Sequence, residues 1–165
     1  MRIGVGYDVH AFTAEEVDRP LVLGGVEIPY SKGLAGHSDA DVVAHAFADA
    51  LLGAARLGDI GEHFPDSDPK YRGISSLTLL ASTAEMVRLA GFEIIDVDCV
   101  IAAEQPKIAP YREQMRERLA ACIGLEKAAV GIKATTTEGL GAIGRGEGIS
   151  VIAVALLVSQ HGQGS

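Results

Sequence analysis

Ile149-Ser150-Val151-Ile152-Ala153-Val154-Ala155-Leu156-Leu157-Val158 is the longest apolar run in the chain, interrupted only by Ser150. A membrane-spanning helix needs about 20 apolar residues, roughly twice this length, so the run reads as a strand. Being almost continuously apolar, it predicts a strand covered on both faces. Gly139–Gly148 just before it is glycine-rich. Further upstream, Val130, Ile132 and Ala134 alternate with Gly131, Lys133 and Thr135, a strand pattern over Ala129–Thr135. Ala109-Pro110 opens a helix that ends near Gly124, with Arg112, Glu113, Arg116, Glu117 and Arg118 on its wet side. Phe92–Ala103 is apolar and β-branched, hence a strand. Ser75 or Ser76 opens a helix ending near Gly91. Leu57–Tyr71 is irregular, and Ser38 or Asp39 can cap a helix of about four turns running to Ala54 or Ala55. Leu21-Val22-Leu23 and Val26-Glu27-Ile28 form a hairpin about Gly24-Gly25, preceded by a loop around Ala14–Arg19 and a strand at Ile3–Tyr7. Strands alternating with helices give an α/β or α+β class. The last residues, Gln160–Ser165, read as a frayed end.

The 165 residues have the length of one domain, and 48% apolar with 22% charged residues is a globular composition. Fourteen basic against 22 acidic residues give a net charge of −8. With no basic block, nonspecific nucleic-acid binding is excluded, because phosphate neutralisation needs clustered Lys and Arg. A small phosphorylated ligand held by a few donors and a metal is not. MRIGVGYDVH carries no signal-peptide pattern, so a soluble, cytoplasmic protein with no membrane partner is expected. Cys99 and Cys122 fit no CxxC spacing and lie in apolar contexts, as buried small residues do.

Five clusters carry candidate chemistry. Asp8 and His10, at i and i+2 of a strand, point to one face, as a metal-ligand pair would or as chance would place them. Asp41, His45 and Asp49 are spaced i, i+4, i+8 along one helical stripe, opposite Val42, Val43, Ala46, Ala50 and Leu51. This is a solvated face, or else His45 joins Asp8 and His10 in a three-ligand site with an open fourth position, supported by Asp49. Asp59 to Asp68 is either a binding loop or a solvated acidic one. Thr135, Thr136 and Thr137 with Glu138 offer hydroxyls, N–H groups and a carboxylate for a phosphate-bridging cation, or are simple strand residues. Arg145 between glycines can reach an anion or pair with Glu147. Neither a Walker A loop nor a dinucleotide fingerprint is present, and no Ser-His-Asp arrangement stands out.

RIGVGYDVHAF, GHSDADVVAHAFADALLGA, LGDIGEHFPDSDPKYRG, EQPKIAPY and KATTTEGLGAIGRGEGI, in this order, span essentially the whole chain. Together they resemble the 2-C-methyl-D-erythritol 2,4-cyclodiphosphate synthase family of the non-mevalonate isoprenoid pathway. The resemblance implies one domain over residues 1–165; some family members are fused to a cytidylyltransferase, and the standalone form is expected here. It also implies an α/β protomer with a sheet on one side and helices on the other, assembled as a homotrimer with inter-subunit active sites. Carried over, Asp8, His10 and His45 are Zn²⁺ ligands, with Val9 beside the substrate. His37 and Ser38 meet the substrate, with His37 and Thr136 stabilising the transition state. Asp59, Ile60, Gly61, Phe64, Pro65, Asp66, Ser67 and Asp68 line the methylerythritol side. Ala103, Glu104, Gln105, Pro106, Lys107, Ile108 and Ala109 hold cytidine. Thr135, Thr136 and Thr137 hold the diphosphate, and Glu138 binds Mg²⁺ or Mn²⁺.

In the implied reaction the substrate's 2-phosphate attacks the β-phosphorus of its cytidine diphosphate and CMP leaves. Positioning and electrostatics supply the rate. Arg145 and Glu147 match the family's pair near a central cavity where isoprenoid diphosphates bind. There Ala142 stands in a segment that is often aromatic in the family. A metal-dependent phosphohydrolase and a non-catalytic isoprenoid-diphosphate-binding trimer are the alternatives.

Overall fold

The computed structural model describes residues 1–14 and 18–160. Part of the loop expected around Ala14–Arg19, and all but the first residue of the expected frayed end, lie outside them. The elements are β1 (Arg2–Ala11), β2 (Leu21–Leu23), β3 (Val26–Ile28), α1 (Val42–Ala55), α2 (Ile60–His63), α3 (Ser76–Leu89), β4 (Phe92–Ala102), α4 (Arg112–Ile123), β5 (Val130–Thr135), α5 (Gly141–Gly144) and β6 (Gly148–Ser159). The main sheet has the order β1-β6-β4-β5, with β2-β3 as a separate hairpin. β6 runs antiparallel to both β1 and β4, whereas β4 and β5 are parallel. The class is α/β, as expected. None of the described helices is long and apolar enough to cross a membrane.

Within one chain the last strand is covered on one face. Ile149, Val151, Ala153, Ala155 and Leu157 are buried in the core, but Ile152 is 54% exposed. Among the described residues, helices cover one face only. The other face carries exposed Val154 and, on β1, exposed Ile3, Val5, Tyr7 and Val9. Contiguous exposed apolar surface of this kind marks an interaction face.

On the covered face α1 lies close to β1. A Cβ added to Gly4 would stand 2.0 Å from the Ala50 carbonyl oxygen. Glycine on the strand and alanine on the helix permit that approach. Asp8 and His10 continue the same face of β1 beyond Gly4 and Gly6, so they arrive beside α1.

The cap of α1 is corrected. It is Asp41, whose Oδ1 accepts the N–H groups of Val43 and Ala44, each at 3.1 Å. Asp41 is fully buried and also accepts from Gly24 and Gly25, so it is not part of a solvated stripe. Capping propensity alone does not choose among Ser38, Asp39 and Asp41; the hairpin's N–H groups do. Gly24 and Gly25, with φ of 55° and 73°, make the tight turn that presents them. Leu57–Tyr71 is less irregular than expected. Asp59 caps α2, accepting from Glu62, and Asp68 caps a 3₁₀ turn at Pro69–Tyr71. Two of the acidic residues of this loop, Asp59 and Asp68, start short helices.

Candidate active site

Asp8, His10 and His45 converge where β1 meets α1. Asp8 Oδ2 lies 3.0 Å from His10 Nε2 and 3.1 Å from His45 Nδ1. The two imidazole nitrogens are 3.4 Å apart. A tetrahedral ion with N and O ligands at about 2.0–2.2 Å holds them about 3.3–3.5 Å apart. The three atoms therefore fit one face of such a tetrahedron, and all three residues line the cleft described below. Among the described residues this is the one group of three or more His, Cys, Asp or Glu side chains so placed. Two imidazoles and a carboxylate suit zinc and several other divalent transition metals.

The surrounding groups set the ligands up. The Ala35 carbonyl lies 2.5 Å from His10 Nδ1. A carbonyl only accepts, so Nδ1 carries a proton, and Nε2, hydrogen-bonded to Asp8 when no cation is there, is the nitrogen whose lone pair a bound cation would take. Burial disfavours the charged forms of both Asp8 and His10, but their pairing overrides it. The hydrogen bonds from His10 and His45 hold the Asp8 carboxyl well below the usual carboxylate range. His10 is raised, chiefly by its hydrogen bond to Asp8. The cluster thus presents an ionised oxygen, the form a cation needs.

One arrangement that the sequence did not suggest is present. Ser76 Oγ lies 2.8 Å from His45 Nε2, and His45 Nδ1 lies 3.1 Å from Asp8 Oδ2, a Ser-His-Asp spacing. It does not make a nucleophile. Ser76 is fully buried, and its hydroxyl donates to Asp39. No substrate atom reaches it, and its proton points away from His45.

A cleft of about 300 Å³ opens over the cluster. His37, Ser38, Ile60, Gly61, Phe64 and Asp66 line it, as anticipated, together with Tyr71 and Leu79, which the sequence did not single out. Phe64 and Tyr71 meet edge to face, with centroids 5.5 Å apart. Ser67 lines an adjoining pocket with His37, Asp66 and Arg72. Asp59 and Asp68 are occupied as caps. Asp49 accepts the Ile60 N–H at 2.8 Å, so it anchors α2 rather than a ligand. The Val9 side chain points to the outer face of the sheet, 49% exposed, because strand residues alternate. Only its backbone, whose N–H donates to Asp8 Oδ1, turns to the cluster side.

The second half of the anticipated site lies elsewhere on the sheet. Asp8 pairs with Val151, Val151 with Ile101, and Ile101 with Ala134. Three strand spacings, about 14 Å, therefore separate the metal-ligand strand from the threonine strand. Parallel pairing brings the ends of β4 and β5 together. There Glu104 Oε1 accepts the Thr137 N–H at 2.9 Å and the Thr137 hydroxyl at 3.2 Å. Glu104 is thus a clasp between the two loops. Ala103 and Ile108 are buried and Lys107 is exposed. Thr135, Thr136 and Glu138 are exposed, and the Thr136 hydroxyl donates to Glu138 Oε1 at 3.2 Å. Arg145 pairs with Glu147 at 2.6 Å, which realises the structural alternative for that motif. Cys99 and Cys122 are free thiols, buried and half-buried.

Residues 1–158 match the sequence profile of the YgbB family. The chain belongs to the YgbB family. One relative, the 2-C-methyl-D-erythritol 2,4-cyclodiphosphate synthase of Desulfatibacillum aliphaticivorans, is 58% identical over 95% of this chain and 99% of its own length. Among solved structures, the bifunctional IspDF from Campylobacter jejuni superposes with a TM-score of 0.90 at 44% identity. That match covers 96% of this chain and 42% of the bifunctional one. A 2C-methyl-D-erythritol-2,4-cyclodiphosphate synthase in its CDP-bound form has a TM-score of 0.85 at 38% identity, covering 95% of this chain and 100% of that one. The Asp8–His10–His45 cluster sits in the part of the chain that the YgbB profile spans.

Proposed function

We propose that this chain is a 2-C-methyl-D-erythritol 2,4-cyclodiphosphate synthase, a cytoplasmic phosphorus-oxygen lyase of isoprenoid biosynthesis (EC 4.6.1.12), with residues 1–165 as one synthase domain. Its substrate is 4-diphosphocytidyl-2-C-methyl-D-erythritol 2-phosphate. An oxygen of the 2-phosphate bonds to the β-phosphorus, the bond from that phosphorus to the α-phosphate oxygen breaks, and CMP leaves with the electron pair. The carrying observation is the Asp8–His10–His45 cluster, three ligand atoms at 3.0, 3.1 and 3.4 Å beneath an open cleft, in a chain of this family.

The ions proposed are one Zn²⁺ on Asp8, His10 and His45, and one Mg²⁺ or Mn²⁺ on Glu138. When bound, such cations neutralise phosphate charge and polarise phosphoryl oxygens. Glu138 offers a single exposed carboxylate, which suits an ion that keeps waters and shares phosphate oxygens. The protein's own groups do the positioning. His37, on the cleft wall, and Thr136, beside Glu138, are proposed to donate to the transferring phosphoryl group. Ile60, Gly61, Phe64 and Asp66 enclose the sugar-alcohol, with Ser38, Asp59, Pro65, Ser67 and Asp68 around them. Residues Ala103–Ala109 and Thr135–Thr137 hold the cytidine and diphosphate. The CDP-bound relative supports a cytidine-nucleotide ligand.

A homotrimer is part of this reading. The exposed apolar outer face of β1 and β6 supports it. So does the separation of about 14 Å between the two half-sites, which a neighbouring copy bridges. An isoprenoid diphosphate in the central cavity, near Arg145, Glu147 and Ala142, belongs to the same proposal.

The test is CMP release from the substrate, followed by chromatography, with the parent protein and with Asp8→Ala and His45→Ala. The parent releases CMP. Both variants, folded, lose at least a thousandfold in rate, because the positioned charge is gone. Equal rates in parent and variants would refute the assignment of these residues.

A further inference from the structure

We infer that Asp39, acting through the buried Ser76 hydroxyl, is a positioning residue that fixes which nitrogen of His45 faces the metal cluster. The inference rests on the proposed metal site and extends it by one shell. Ser76 opens α3, is fully buried, and its N–H donates to both carboxylate oxygens of Asp39, at 3.1 Å each. Its hydroxyl also faces Asp39 Oδ1. A carboxylate only accepts, so Ser76 spends its one proton there. What it turns to His45 Nε2, 2.8 Å away, is a lone pair. Nε2 must then keep its proton, which leaves Nδ1, hydrogen-bonded to Asp8 when no cation is there, as the nitrogen whose lone pair a bound cation would take. Nδ1 is the atom that lies 3.1 Å from Asp8 and 3.4 Å from His10.

The chain Asp39–Ser76–His45 thus matches, from the other side, the Ala35 carbonyl on His10. Ser38 Oγ lies 3.1 Å from the same Nε2 and 3.1 Å from Ser76 Oγ, and it accepts the Ala40 N–H. It is a second acceptor for that proton and a reserve when Ser76 is removed. Metal ligands are typically oriented by such outer partners, whose loss costs 10–100-fold in affinity.

The experiment measures Zn²⁺ affinity by competition with a chromophoric chelator, for the parent, Ser76→Ala, Ser38→Ala/Ser76→Ala, Asp39→Asn and His45→Ala. Metal-free thermal stability is recorded for each in EDTA, and the Co²⁺ visible spectrum reports coordination geometry. Ser76→Ala leaves the α3 N–H on Asp39, so its metal-free melting should match the parent. We expect zinc affinity to fall about 10-fold in Ser76→Ala and towards 100-fold in the double variant, with a weaker and broader Co²⁺ band. Asp39→Asn, which keeps an acceptor without the charge, falls between parent and Ser76→Ala. If the parent binds one Zn²⁺, His45→Ala does not, and the double variant binds as tightly as the parent, the relay is refuted while the metal site stands. Affinity loss that merely tracks loss of metal-free stability also refutes it. A parent that binds no Zn²⁺ refutes both readings.

Discussion

Gly6 on β1 lies so close to Ala46 on α1 that a Cβ at position 6 would stand 1.9 Å from the Ala46 carbonyl oxygen. His45 is the neighbour of Ala46, and Asp8 is two residues beyond Gly6. This contact therefore sets the distance across which the three candidate ligands meet.

Gly6→Ala tests that relation. The added methyl meets backbone rather than a movable side chain, so strand and helix must separate. Overpacking of this kind costs about 1–3 kcal/mol, and a backbone clash lies at the upper end. Urea unfolding should show a loss of about 3 kcal/mol, and zinc affinity should fall as the ligands spread.

Asp41 is a second structural node. Its buried carboxylate accepts N–H groups from Gly24, Gly25, Val43 and Ala44. Asp41→Ala strands all four donors at the junction of hairpin and helix. Each unsatisfied buried donor costs about 1–3 kcal/mol, and with relaxation the sum is expected at about 3–5 kcal/mol. Asp41→Asn keeps one good acceptor and should lose less than half of that by chemical denaturation.

Much of this was legible in the sequence, for reasons that differ by element. The Gly24-Gly25 hairpin, β4 and β5 were readable because turn chemistry and alternation are local signals. Asp8, His10 and His45 were readable as ligands through the family resemblance; spacing alone left a chance D-x-H pair standing. The Asp39–Ser76 contact was not legible, because 37 residues separate its partners and each reads locally as a helix cap. Asp41 was misread as part of a wet stripe because its burial is imposed by the hairpin, far away in sequence. The apolar run of β6 told of a covered strand but not whether the cover of its outer face comes from the same chain.

Both thiols should be inert in the native protein. Burial pushes the Cys99 thiol up to about 12 and Cys122 up to about 11, and the Cys122 sulfur donates to the Leu77 carbonyl. Since only the thiolate attacks, both are held in the unreactive thiol form at pH 8. A disulfide reagent at pH 8 should titrate neither within minutes, and both once the protein is unfolded.

The outer face makes an assembly prediction. Ile152, 54% exposed on β6, sits among Val154, Val5 and Tyr7 on that face. Ile152→Arg places a charge where a trimer would bury it, at a cost of several kcal/mol per contact. Analytical ultracentrifugation should show the parent at three times the 17.2 kDa chain mass and the variant as a monomer. The variant should keep its zinc, since all three ligands are on one chain, but lose turnover.

The central claim is the cyclisation itself, and ³¹P NMR of the metal-loaded protein with 4-diphosphocytidyl-2-C-methyl-D-erythritol 2-phosphate tests it most directly. CMP should grow in step with a single cyclic diphosphate, with no orthophosphate. Orthophosphate or an open-chain diphosphate would contradict the account and make the protein a hydrolase, and no turnover at all would make it a binding protein.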